Sequence, residues 1–442
     1  MVNGIYTNRW PSVRLSSLFF ENKDRNSDFQ ESSAYQFCFG TLIRKKQYDM
    51  TEDLIETYKK YAVVKPGDII INGLNLNYDF VTQRVAIAKE KGIITSAYIS
   101  IRPRNKQNNA YYCYLLKAMD GQKMLHSMGT GIRLTLSFAN LKDILLPVPP
   151  RDEQDQIVRF LDWKVSEINK LINIKHREIK NIDALKRNLV SHVVTRGLVP
   201  NVALKDSGVK WLGDIPAHWN TIKLRQILHP VSVKNHPELP LLSVVREQGV
   251  IIRDVDDKES NHNYVPDDLS GYKMVKKGQF AMNKMKAWQG SYGVSDYTGI
   301  VSPAYFIFDI DFDNLKYFHY AIRSKVYVNF FAQASDGIRV GQWDLQMDKM
   351  KEIPFIVPPA DEQIQIVEYI ESALPKYDDA ICVLREEIRG LEELKTKLIS
   401  DVVTGKIDVR DVVIPDFEYV DEEVDTAEAD DGEENTEEQE EE

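Results

Sequence analysis

The stretch Asn283-Lys284-Met285-Lys286-Ala287-Trp288-Gln289-Gly290-Ser291 brings amides, lysines and an aromatic ring together in one loop-like run. Asn and Gln can read adenine, whereas Lys and Arg meet guanine and phosphate. An earlier run, Asn72-Gly73-Leu74-Asn75-Leu76-Asn77, is its asparagine-rich counterpart. Arg102, Arg104 and Lys106 form a basic cluster in the first half of the chain, and Arg323 and Lys325 form one in the second. Arg133 and Arg339 each follow Gly-Ile at matched positions. The candidate nucleic-acid contacts are therefore Asn72, Asn75, Asn77, Arg102, Arg104, Lys106, Arg133, Asn283, Lys284, Lys286, Trp288, Gln289, Arg323, Lys325 and Arg339. Taken singly, each reads more readily as part of a solvated loop or structural turn. The matched Gly-Ile-Arg runs weigh against that for Arg133 and Arg339.

Residues for covalent chemistry are not apparent. There is no Gly-x-x-x-x-Gly-Lys-Ser/Thr phosphate loop, and no Asn-Pro-Pro-Phe or Asp-Pro-Pro-Tyr run for amino methylation. Gly129-Thr130-Gly131 lacks a third glycine and marks a turn. Pro266-Asp267 has no Glu-x-Lys at nuclease spacing. His126, His176 and His192 read as surface residues, and Cys38, Cys113 and Cys382 show neither paired nor metal spacing. No catalytic site and no metal site are expected.

The elements that position these residues are repeated. Ile144–Thr195 aligns without gaps on Ile353–Thr404 at an offset of 209, with 20 identities in 52 positions. Each copy begins Pro-Pro-x-Asp-Glu-Gln and reads as one helix of about 45 residues, ~68 Å long. Asp152 and Asp361 are expected to be N-caps, with Glu153 and Glu362 in the first turn, where the helix dipole favours negative charge. Apolar residues at Ile157, Leu161, Val165, Ile168, Ile172, Ile179 and Ile182 form one seam, which Lys175 interrupts. Ile366, Ile370, Leu374, Tyr377, Ile381, Leu384, Ile388 and Leu391 form the other. From Leu161 and Ile370 onward the spacing alternates four and three, which is that of a coiled coil. Pro375 predicts a kink or break. The chain from Gly197 to Trp211 spans at most ~50 Å, which favours antiparallel pairing and a head at each end.

Weaker matches extend the repeat through both halves. Gly92-Ile-Ile matches Gly299-Ile-Val, Tyr111-Tyr112 matches Tyr317-Phe318, and Gly131-Ile-Arg matches Gly337-Ile-Arg, at offsets of 206–207. The net charge of −11 is concentrated in residues 421–442, which hold 14 acidic residues and no Lys or Arg. Removing those 14 charges leaves the body at +3, compatible with nucleic acid, and the tail reads as disordered. No apolar run approaches a membrane span, so a soluble, cytoplasmic protein is expected.

The doubled Pro-Pro-x-Asp-Glu-Gln-x-Gln-Ile-Val start, the Val402-Val-Thr-Gly-Lys-Ile-Asp-Val409 ending and Trp211-Leu-Gly-Asp-Ile-Pro-Ala-His-Trp219 resemble the DNA-specificity subunits of type I restriction–modification enzymes. So does Met282–Gly290 taken with Gly299–Tyr305. The resemblance covers residues 10 to about 410. It lacks a Trp-Leu-Gly-x-Ile-Pro run before Trp10, and the acidic tail is not part of it. It implies a mixed α+β fold: two pseudo-repeated α/β target-recognition domains joined by two long helices in an antiparallel coiled coil. The domains are 1–148 and 211–357, the helices 149–197 and 358–409, the linker 198–210, and the closing segment and tail 410–442. It further implies a chain without catalysis or bound cofactor, acting on double-stranded DNA with two modification subunits and two restriction subunits. S-adenosylmethionine, ATP and Mg belong to those partners. A coiled-coil scaffold with protein-binding heads, or an enzyme with an unfamiliar site, are the competing readings; salt-dependent duplex binding separates them.

Overall fold

The computed structural model describes residues 9–45, 50–76, 83–131, 134–209, 212–253, 266, 268–339, 342–421 and 423, without the side chains of 337–339 and 342. The chain divides into two compact units, residues 1–177 with 384–442 and residues 178–383.

The head of unit 1 contains strands β1 (Ser12–Arg14), β2 (Phe19–Glu21), β3 (Tyr35–Cys38), β4 (Thr41–Arg44), β5 (Ala62–Val64), β6 (Ile69–Ile71), β7 (Val85–Ile87), β8 (Gly92–Ile94), β9 (Ile99–Pro103) and β10 (Leu145–Pro147). Its helices are α1 (Leu15–Leu18), α2 (Glu52–Lys59), α3 (Asn109–Gly121) and α4 (Phe138–Leu141). A four-stranded sheet in the order β2-β9-β6-β7 packs on α3, and the pairs β1-β10, β3-β4 and β5-β8 surround it. Helix α5 (Arg151–Arg196) leaves this unit and ends in unit 2.

Unit 2 repeats the plan. Its strands are β11 (Leu204–Asp206), β12 (Asp214–Pro216), β13 (Asn220–Lys223), β14 (Leu228–Val231), β15 (Leu242–Val245), β16 (Gly249–Ile252), β17 (Lys273–Val275), β18 (Phe280–Asn283), β19 (Tyr292–Val294), β20 (Gly299–Val301), β21 (Tyr305–Ile310), β22 (Ser335–Arg339), β23 (Gln342–Leu345) and β24 (Pro354–Val357). Helices α6 (Leu315–Ile322), α7 (Lys325–Gln333), α8 (Met347–Lys351) and α9 (Ala360–Val403) complete it, with α9 ending in unit 1. The central sheet β14-β21-β18-β19 matches β2-β9-β6-β7 strand for strand, and β13-β24, β15-β16 and β17-β20 match the three outer pairs. Gly92 and Gly299 show why the repeat keeps glycine there. A Cβ would lie 2.8 Å from Ser33 O in one unit and 2.4 Å from Pro240 O in the other. That close approach permits the parallel bridges Ala34–Ile93 and Leu241–Ile300.

The repeated helix start is a clamp. Trp10 Nε1 donates to Glu153 Oε2 at 3.0 Å, and Trp219 Nε1 donates to Glu362 Oε2 at 2.9 Å. Gln154 Nε2 donates to Pro149 O and Gln363 Nε2 to Pro358 O, each at 2.9 Å. The Glu of the motif thus holds an indole from the first strand region, and the Gln satisfies a carbonyl ahead of the helix. The helices end alike: Gly197 (φ +75°) and Gly405 (φ +76°) supply left-handed caps.

Antiparallel pairing is present inside each unit. In unit 1, Lys175 pairs with Glu387 and Lys395 Nζ reaches Asn169 Oδ1 at 3.4 Å. In unit 2, Lys186 pairs with Asp378, and Val193 and Val194 share a core with Ile366 and Ile370. All the seam residues expected from sequence are buried or half-buried. Tyr111 Oη donates to Val403 O in unit 1, and Tyr317 Oη donates to Val194 O in unit 2. Each head is therefore fastened to the end of the helix that arrives from the other unit.

Three sequence expectations need correction. Asp152 and Asp361 lie one residue inside the helices, so their charge faces the helix dipole in the first turn without acting as N-caps. Of the kink or break expected at Pro375, the break is absent, because α9 runs on from Ala360 to Val403. Its ring is exposed, and one missing N–H is a local cost that the surrounding helix carries. His126 is buried, 4.0 Å from Asp120 Oδ1. Among the described residues no helix is long and apolar enough to cross a membrane.

The acidic tail begins later than its composition indicates. Val409, Val412 and Ile414 join the unit 1 core, and Gln156 Nε2 bonds Val409 O and Val412 O. Beyond them an extended strap lies along α5. Val420 N donates to Ser166 Oγ at 3.2 Å, and Asn169 Nδ2 donates to Val420 O at 3.0 Å. Asn173 bonds Asp421 O at 3.1 Å and receives Glu423 N–H at 2.9 Å. Positions 166, 169 and 173 share one helix face, and all three side chains are buried. Lys89 pairs with Asp421 at 2.6 Å and covers the Tyr419 ring. The rest of the tail, Glu422 and residues 424–442, lies outside the described residues. Truncation after Pro415 is expected to cost unit 1 roughly 2–4 kcal/mol, because four hydrogen bonds to buried groups are lost at about 1 kcal/mol each. Truncation after Glu423 is expected to leave thermal melting unchanged. Equal melting temperatures for the two truncations would show that the strap contributes nothing.

Candidate nucleic-acid interface

In unit 2 the run after β18 folds against the β22–β23 hairpin. Asn283 Oδ1 accepts the Met285 N–H at 3.1 Å and its Nδ2 reaches Tyr305 Oη at 3.4 Å, so this side chain shapes the loop from within. Lys284 pairs with Asp344 at 2.7 Å, and Leu345 N donates to Lys284 O at 3.3 Å. The Trp288 and Trp343 rings pack against each other, tilted by 37°, with centroids 5.2 Å apart. Gly290, at φ +96°, turns the chain back into β19. Lys286 is exposed, and Gln289 is half-buried. Trp288 Nε1 is buried with no hydrogen-bond partner among the described residues. Arg339 ends β22 at the tip of this hairpin, opposite Gln342; its side chain lies outside the described residues.

Unit 1 has the same convergence in different chemistry. Asn72 Oδ1 accepts Leu74 N–H at 3.1 Å, forming a tight turn after β6. Leu136 N donates to Gly73 O at 2.8 Å and Leu76 N to Leu134 O at 3.3 Å, which joins this run to the segment carrying Gly129–Gly131. Asn75 has φ +50°, a conformation asparagine tolerates better than most side chains. Asn77 and Arg133 fall outside the described residues. The matched segments are 72–76 with 129–136 in one unit, and 283–291 with 335–345 in the other. Each pair meets at one surface of its unit.

A residue that sequence reasoning missed holds the first of these loops. Arg84 is buried, and its guanidinium donates to Leu74 O at 2.8 Å and to Asn72 O and Asn75 O at 3.4 Å. Asp120 Oδ2 accepts the Arg84 backbone N–H at 2.7 Å, and burial pushes the Asp120 carboxyl above its ordinary pKa. Trp343 was missed as well. Its signal was present in Gly341-Gln342-Trp343, directly after the matched Gly337-Ile338-Arg339.

The two basic clusters have structural partners. Arg102 makes a bidentate pair with buried Asp68 at 2.9 and 2.8 Å and reaches Asp24 at 2.7 Å. Those carboxylates raise its pKa further and occupy its donors. Arg104 bonds Ser16 O at 2.9 Å over the Phe20 ring. Lys106 is exposed, beside the start of α5, where its carbonyl accepts from Arg151. Arg323 is half-buried and donates to three backbone carbonyls, of Tyr292, Arg246 and Glu247. Lys325 opens α7, and its N–H bonds Ser191 Oγ near the end of α5. Arg102 and Arg323 are thus internal ties, and among the described residues none of these five is hydrogen-bonded to the convergent loops.

Each of the two units thus follows one plan, gathers a matched pair of segments at its surface and holds its long helical segments antiparallel. Residues 8–181 match the family model described as the type I restriction modification DNA specificity domain, and the second half repeats the first. Along most of its length the chain is similar to specificity subunits of type I restriction–modification systems, a class that is generally not catalytic. It is 24% identical over 429 residues to the type I restriction enzyme MjaVIII specificity subunit of Methanocaldococcus jannaschii, covering 91% of this chain and 94% of that one. The putative MjaX specificity subunit of the same organism is 22% identical over 371 residues, covering 80% and 81%. A solved chain from work on complex assembly and conformational transition of the type I R-M system shares the fold, with a TM-score of 0.57 at 12% identity. It covers 91% of this chain and 99% of that one.

Proposed function

We propose that each unit reads one part of a bipartite, asymmetric DNA target through its convergent loops, and that the paired helices set the unread spacer. The observation that carries this reading is the meeting, in both units, of two sequence-matched segments at one surface. Their chemistry differs: asparagine and backbone in unit 1, lysines and paired indoles in unit 2. A fixed frame with unlike loops suits two unlike half-sites. The helices dock two modification subunits, which methylate adenine with S-adenosylmethionine. Two restriction subunits join for ATP- and Mg-dependent translocation and cleavage. This chain supplies recognition and binds none of those cofactors itself.

Lys286, exposed in the unit 2 loop, is the clearest phosphate contact. The purified chain, with or without its modification subunits, is expected to bind duplex DNA with a steep salt dependence. Lys286→Ala is expected to lower the slope of log K against log salt by about 0.9, the loss of one phosphate contact. Fluorescence anisotropy across a salt series measures both. Absence of salt-dependent duplex binding would favour the scaffold reading.

A further inference from the structure

Two cations at matched positions hold the turns of two hairpins. Lys117, in α3, donates from Nζ to Gly40 O at 3.0 Å. Arg323, 206 residues later and just past α6, donates from Nη2 to Arg246 O at 2.9 Å and Glu247 O at 2.7 Å. An offset of 206 also relates Tyr111 to Tyr317 and Gly131 to Gly337, so the two cations are counterparts. Their acceptors belong to the turns of β3–β4 in unit 1 and β15–β16 in unit 2.

A surface turn does not need such a donor, because water serves exposed carbonyls without burying a charge. Arg323 is nevertheless half-buried, and desolvation lowers its pKa. A third donor, Nη1, reaches Tyr292 O at 2.6 Å, at the start of β19, immediately after the 284–291 loop. One guanidinium therefore ties the hairpin turn to the chain leaving the reading loop. Unit 1 places its turn likewise: a Cβ on Gly40 would lie 2.5 Å from Gln83 Cγ and 3.3 Å from Val85 O, on the chain that leads into β7. What the turns present is exposed and unlike. Phe39 is 53% exposed at φ +45° in unit 1, a conformation uncommon for a bulky residue. In unit 2, Arg246 and Glu247 are exposed and ion-paired to each other at 3.8 Å.

We propose that these two hairpin turns are a second DNA-reading element in each unit, and that Lys117 and Arg323 are positioning residues that hold each turn at a fixed offset from its reading loop. Phe39 meets a thymine methyl or a base step, and Arg246 meets a guanine edge or phosphate. The proposal rests on the DNA-reading function given above.

The test uses the full chain assembled with its modification subunits on a random-sequence duplex library, with the methylated sites sequenced. Arg246→Ala combined with Glu247→Ala changes only exposed side chains. It is expected to reduce discrimination roughly tenfold at one or two positions of a single half-site, the size of one lost base contact. Arg323→Met is expected to relax the same positions, and Arg323→Lys to restore part of the preference. Should Arg323→Met fail to fold, the exposed double variant decides. A wild-type bipartite sequence left unchanged by that double variant overturns the hairpin proposal alone. A wild-type complex that methylates no bipartite sequence overturns it together with the reading on which it rests.

Discussion

Inserting four residues into both long helices, after Arg177 and after Val383, is expected to lengthen the unread spacer of the target and leave both half-site sequences intact. The insertions fall where the two compact units divide along α5 and α9. Both helices are extended, because each unit holds its own antiparallel pair, Lys175–Glu387 in unit 1 and Lys186–Asp378 in unit 2. Lengthening a single helix would shift one of these pairs out of step. Four residues add ~6 Å of rise, close to two base pairs at ~3.4 Å each. Four residues also make a stutter that the seam absorbs by local unwinding. The heads must separate and rotate together to follow the DNA helix, so the expected increase is one base pair and at most two. Mapping methylated adenines for both proteins measures it. Retained activity with an unchanged spacer would show that the helices do not act as the ruler.

Exchanging residues 212–357 for the second head of a related specificity subunit is expected to replace one half-site completely and leave the other untouched. The boundaries follow the structure: β13 pairs with β24 from Asn220–Val357 to Lys223–Pro354 and closes the head, so the exchange carries both strands. The incoming head must supply a tryptophan in place of Trp219 to clamp Glu362, and a tyrosine in place of Tyr317 to keep the bond to Val194 O. A complete change of specificity at every read position of one half-site is a larger effect than any single substitution, where each base contact is worth ~1–3 kcal/mol. Alteration of both half-sites would show that the heads do not read independently.

The frame of this protein was legible in its sequence because it rests on periodicity. The heptad seam from Ile157 to Ile182 and from Ile366 to Leu391 survives in burial, and Lys175, the one interruption, is paired with Glu387. The matched glycines and tyrosines also kept a shared purpose, since Tyr111 and Tyr317 bond equivalent helix ends. Pairings across long separations were not legible. Arg102 reads as a free cation until Asp68 and Asp24 are folded beside it, and Arg323 until the carbonyls of a distant hairpin face it. Arg84 carried no signal at all, because a lone arginine before a strand does not reveal that three loop carbonyls lie around it. The strap was hidden for a related reason. An acidic run reads as disordered, and its receivers, Ser166, Asn169 and Asn173, read as ordinary polar helix positions.

The most direct measurement of the central claim is the methylated sequence in DNA from cells that carry this chain with its modification subunits, read at single-base resolution. The expected result is adenine methylation within one asymmetric sequence of two specified blocks separated by an unread spacer of fixed length, lost when this chain is deleted. A single contiguous methylated block, or an unaltered pattern after deletion, would contradict the account.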